Sequence, residues 1–169
     1  MNAPIMKLSV PFIPDAGYAR FLTRHSSRLS SIYFPLPSGP VTDARVRISD
    51  GLASETRDLS ATLSPLKSID KYILMNTRFM SPHVYADKTI LSGILNEIAH
   101  LDNTIGIKGI VLSDMYLLRA LDQTNHEIVP RLEAVPGINA MQDSPGKLFS
   151  FFDLLALSRF KKPVRIVPD

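Results

Sequence analysis

The 169-residue chain has no cysteine. Disulfides, thiolate zinc sites, cysteine-ligated iron–sulfur clusters and a cysteine nucleophile from this chain are therefore excluded. Its four histidines, His25, His83, His100 and His126, stand apart without His-x-x-x-His spacing, so they form no metal-ligand pattern. No stretch reaches the roughly 18 apolar residues needed to span a bilayer. Met1 to Pro14 lacks the charged start and long apolar run of a signal peptide, so a cytoplasmic, non-membrane protein is expected. Gly-x-Gly-x-x-Gly, phosphate-loop and Gly-x-Ser-x-Gly patterns are missing, which disfavours familiar nucleotide sites and hydrolase-elbow chemistry. Charge of one sign is not accumulated either, since the net charge is +3 with the bases spread along the chain. The densest basic cluster, Arg159, Lys161, Lys162 and Arg165, reads as a solvated face, and nucleic-acid binding is disfavoured.

What is present is an ordinary globular balance, with 45% apolar and 21% charged residues in a length suited to one domain spanning 1–169. The clearest stretch is Ile107 to Leu121. An apolar run ends abruptly at Ser113-Asp114 and a helical pattern begins at once, as when a buried parallel strand hands over to a helix. Similar units surround it. Strands are expected over 7–14, 31–36, 71–79, 107–112, 134–141 and 163–167. Helices are expected over 16–30, 56–69, 88–102, 115–122 and from Ser144 onward, with Ser81-Pro82-His83 as a loop. Pro11 weakens the first strand, and Pro65 implies a kink or an early stop in the second helix. Pro37 to Glu55 is rich in turn formers and reads as a long loop.

Strands alternating with helices require a parallel sheet covered by helices. A doubly wound open sheet and a (β/α)-barrel both satisfy this. The sixth strand with no covering helix favours the barrel, which ordinarily needs about 250 residues. The expected fold is thus an α/β, parallel barrel-type domain, incomplete at about five βα units plus a sixth strand. A homo-oligomer, or a complementary chain completing the sheet, follows as the expected partner.

Both architectures place ligand sites at the carboxyl ends of the strands. Those ends carry Asp15, then Asn76, Thr77 and Arg78, then Ser113 and Asp114, then Asn139, Asp143 and Ser144, and last Asp169. Asp114 and Asn76 are the candidate catalytic residues, with Asp114 as acid, base or orienting group. Arg78, Ser113, Asn139 and His83 are the candidate substrate contacts, Arg78 for an anionic group. Asp15, Asp114 and Ser144 each precede a helix, so N-capping alone also accounts for them. No metal ligands are assigned, and the residues specify no cofactor.

The segment Ile107 to Asp114, with Leu117-Leu118 after it, resembles the strand–turn–helix unit of the U32 peptidase family. The next unit, with Asn139 and Ser144 between a short strand and a helix, is similar. The resemblance covers about Tyr72 to Asp169. It implies a barrel-like α/β domain with a rim site, in a family of collagenase-like proteases and related RNA- and quinone-modifying proteins. The family's cysteine-containing signature is absent here, so fold and rim site carry over, and peptidase activity does not. Two functional readings follow. One is a hydrolase or modifying enzyme acting on a small polar or peptide-like substrate. The other is a non-catalytic assembly or binding subunit.

Overall fold

Strands β1 (Leu8–Pro11), β2 (Leu29–Pro35), β3 (Asp70–Met75), β4 (Gly109–Leu112) and β5 (Glu133–Pro136) form one parallel sheet in that order. The computed structural model describes residues 6–37, 39–41, 59–77 and 80–166. Most of the turn-rich loop expected over 37–55 lies outside the described residues. The strand order never reverses, so the sheet has no switch point of the doubly wound kind. With sequential strand order, right-handed crossovers place the helices on one face. β1 and β5 are the two edges of the described sheet. Pro11 and Pro136 lie in these edge strands, where a missing N–H costs the ladder least.

The helices follow the strands in turn. α1 (Ala16–Arg24) comes after β1, α2 (Pro82–Ala86) and α3 (Lys88–Ile105) after β3, α4 (Met115–Gln123) after β4, and α5 (Pro145–Ala156) after β5. Between β2 and β3, residues 59–63 are helical and tighten into a 3-10 turn at Ser64–Leu66, where Pro65 ends the α-helical ladder. Each longer helix opens on a side-chain cap. Asp15 accepts from Tyr18 N, Asp87 from Thr89 N and Ile90 N, Asp114 from Tyr116 N and Leu117 N, and Ser144 from Lys147 N. α3 runs three residues past the expected end at Asp102 and stops at Gly106, whose φ of 73° suits glycine.

Four expectations need correction. The helix expected over 16–30 stops at Arg24, a 3-10 turn follows at Ser26–Arg28, and Leu29 and Ser30 already belong to β2. The loop expected at Ser81–His83 is the cap and first turn of α2, because Pro82 fits a helix's first position. The fifth strand ends at Pro136, and Ile138–Ala140 form a 3-10 turn. The sixth strand is absent over 163–166. One parallel bridge, Glu133 to Lys161, extends the β5 edge, with Lys161 N donating to Leu132 O. Pro163 then has no N–H to continue the ladder, and Arg165 turns to the sheet, where it pairs with Asp70 at 2.9 Å.

The core lies between sheet and helices. Ile32, Phe34, Ile73, Met75, Ile110 and Leu112 project from alternate strand positions and pack with Leu22, Leu95, Ile98, Leu117 and Leu121. Burial on this scale is the main stabilising term, at about 1.5–3 kcal/mol per large side chain. Lys71, 1% exposed, is the polar residue on this face. Its Nζ donates to Leu66 O and Ile69 O, satisfying carbonyls where the second helical segment ends. Burial lowers its pKa.

Candidate functional site

The same strands turn their other residues inward, away from the helices. Period-two alternation puts Ser9, Ser31, Tyr33, Tyr72, Leu74, Asn76, Val111 and Val135 on one surface, where they line a cavity of about 220 Å³ together with Gly137, Ile138 and Arg165. At the amino ends of the strands the cavity has a polar floor. Arg165 donates to Ser31 Oγ at 2.6 Å and Ser30 Oγ at 3.2 Å, and pairs with Asp70. Its guanidinium lies 5.0 Å over the Tyr72 ring. Tyr72 in turn donates to Glu133 Oε2 at 2.8 Å, and Lys108 pairs with Glu133 Oε1 at 3.3 Å. Burial, then the Glu133 hydrogen bond, raises the Tyr72 pKa. Beside Glu133, position 109 needs glycine, because a Cβ there would stand 2.3 Å from Glu133 O.

The middle of the cavity is apolar, with Leu74, Val111 and Val135 beside the Tyr33 ring. Asn76 follows β3 at its carboxyl end. It is 5% exposed, and its Oδ1 has no hydrogen-bond partner among the described residues. A buried acceptor left unmade costs about 1–3 kcal/mol, and at the floor Arg165 Nε is likewise buried without a partner among the described residues.

Above the cavity is an open depression lined by Thr77, Ser113, Asp114, Met115, Tyr116, Ile138, Asn139 and Met141. Ile138 borders both spaces. Ser113, Asp114 and Asn139 are therefore brought together, with Asn76 in the adjoining cavity. Asp114 has both oxygens engaged. Oδ1 caps α4, and Oδ2 accepts a hydrogen bond from the Tyr85 hydroxyl of α2. Burial, followed by Asp114's hydrogen bond and charge, pushes the Tyr85 hydroxyl up to about 12. His83, also on α2, is exposed and does not line either space. Arg78 and Asp169 lie outside the described residues. Asp15 and Ser144 cap their helices, and Asp143 pairs with Lys147 at 2.8 Å. Among the described residues no three His, Asp or Glu side chains are grouped as a metal site, and no helix is long and apolar enough to cross a membrane.

Sequence reasoning missed Tyr33, Tyr72, Glu133 and Arg165. Counting back from Asn76 by twos reaches Leu74, Tyr72 and Asp70, which would have identified the inward side of β3. Arg165 carried no such signal, because its contacts span more than ninety residues. Of the basic cluster it belongs to, Lys161 and Lys162 are exposed as a solvated face requires, whereas Arg159 and Arg165 are half-buried and paired. Arg159 pairs with Asp122 at 3.0 Å, and Lys162 sits over the Phe152 ring.

No protein-family model and no curated protein matches the chain. A solved structure, that of the U32 peptidase Mk0906, matches with a TM-score of 0.59 at 16% identity, covering 91% of this chain and 57% of that one. At this identity the likeness is one of fold. The chain spans a little over half the length of that neighbour. The expected resemblance to the U32 family is thus met at the level of architecture.

Proposed function

We propose that this chain is a barrel-type ligand-binding domain whose ligand enters from the carboxyl rim and lodges against the inward face of β2–β5. Its enzymatic form is a hydrolase or modifying enzyme resembling U32 peptidases, with a small polar or peptide-like group held at the rim. Asn76 accepts a hydrogen bond from the ligand. Ser113 and Asn139 contact the part that remains in the depression, and Asp114 orients the rim through Tyr85 and the α4 cap. The observation that carries this reading is Asn76 Oδ1, buried and unpartnered beside an apolar cavity. Such an atom is a standing cost to folding unless a ligand offsets it.

The test is a thermal-shift screen of small molecules against the wild-type chain and Val111→Phe, which fills the cavity. A compound at a hundred times its Kd adds about 2.7 kcal/mol, roughly 5–10 °C for a chain of this size. The reading expects stabilising compounds whose effect disappears in Val111→Phe. Compounds that stabilise both proteins equally would place binding elsewhere and contradict it.

A second reading, the assembly subunit, rests on the β1 edge, where Leu8 is 48% exposed and Ile13, just past the strand, 66%. An open edge with apolar side chains is a surface another strand can cover. Sedimentation equilibrium would show self-association weakened by Leu8→Lys. A monomer at every concentration removes the homo-oligomer.

A further inference from the structure

Size, polarity and charge of the inward cavity together restrict what it can hold. The following rests on the reading that this cavity is the ligand site. We infer that it takes an uncharged molecule with an apolar, ring-sized body and a single hydrogen-bond donor that Asn76 Oδ1 accepts.

Three observations lead there. The cavity measures about 220 Å³, whereas a buried apolar cavity of about 150 Å³ binds benzene. A fused two-ring body therefore fits, and a chain of several residues does not. Second, Leu74, Val111 and Val135 give the ligand's body an apolar wall, with the Tyr33 side chain beside them. Third, the charges at the floor are already balanced. Arg165 is held by Asp70 at 2.9 Å, and Glu133 by Lys108 at 3.3 Å. The Tyr72 hydroxyl donates to Glu133, so it is not free to donate to a ligand. A carboxylate or ammonium entering this space would lose its hydration and find no unpaired counter-charge.

Asn76 is the group that discriminates. Its Oδ1 is withdrawn from solvent and accepts no hydrogen bond from the described residues. A ligand N–H or O–H there satisfies an acceptor that is otherwise unmade, while a hydrocarbon of the same shape leaves it unmade. Arg165 Nε is a further buried donor without an acceptor among the described residues. A ligand reaching the floor meets it with a neutral carbonyl or ring nitrogen, since Asp70 already answers the guanidinium's charge.

Isothermal titration with three matched probes tests this: indole, indene as its donor-free counterpart, and indole-5-carboxylate. Wild-type chain is expected to bind indole about tenfold more tightly than indene, and the carboxylate more weakly than either. Asn76→Leu is expected to erase the preference for indole while still binding indene, which also shows that the variant is folded. Equal binding of indole and indene by the wild type, tightest binding of the carboxylate, an unchanged preference in Asn76→Leu, or no binding of any probe would each overturn the inference. Failure of the underlying reading looks different. Compounds would then bind Val111→Phe as well as they bind the wild type.

Discussion

The two faces of the sheet come from the same strands and differ in what their alternate residues meet. Toward the helices, Ile32, Phe34, Ile73, Met75, Ile110 and Leu112 are fully buried against other apolar side chains. Even Lys71 has its ammonium satisfied there by two carbonyls. Toward the inside, a charge-balanced floor, an apolar middle and an asparagine whose Oδ1 has no partner among the described residues line a cavity. The first face is a solved packing problem, and its purpose is the fold. The second has volume and a hydrogen-bonding atom left over. The difference places the candidate function on the inward face. The capped carboxylates at the rim are a weaker indication, since each has a structural job.

The largest effect that would sharpen this contrast comes from two neighbours on β4. Ile110→Ala removes a fully buried side chain from the helix-facing core and should cost about 3–4 kcal/mol in urea unfolding. Val111→Ala enlarges a space that already exists and should cost about 1 kcal/mol. Equal costs would mean that the two faces are packed alike.

Next in size, Asn76→Leu should stabilise the ligand-free chain by about 1–2 kcal/mol, because it removes a buried unmade acceptor. A clear loss of stability would show that Asn76 serves the fold.

The smallest effect concerns the rim. Tyr85→Phe should cost about 1 kcal/mol at neutral pH through the lost hydrogen bond to Asp114. The Tyr85 pKa is raised from 10.0 to about 12 in the folded chain. Its stabilising contribution is therefore complete below pH 10 and lost as pH rises toward 12. Unfolding followed from pH 9 to pH 12 should show a shallower alkaline decline in the variant. Tyr18 and Tyr72, also raised, keep part of the slope. An unchanged profile would mean that the Tyr85–Asp114 contact does not tie α2 to α4.

The order of elements was legible because local rules suffice for it. Apolar runs of strand length alternate with helical stripes, and Asp15, Asp87, Asp114 and Ser144 announce helix starts that all four do cap. Where a local signal competed with a distant one, the reading failed. Pro163 to Val167 has strand composition, yet the contacts of Arg165 with Ser31 and Asp70 draw the described part across the sheet's inward floor. Asn76, Ser113, Asp114 and Asn139 were legible as strand-end residues. That Asn76 would lack a partner while Asp114 would have three depends on Tyr85 and on the cavity, neither of which leaves a mark in the local sequence.

The central claim is that ligand meets the inward face. Methyl NMR spectra recorded with and without indole test it most directly. Resonances of Leu74, Val111 and Val135 should shift, while those of Ile73, Ile110 and Leu112 on the opposite face stay in place. Shifts of equal size on both faces, or no shift at Val111 and Val135, would contradict it.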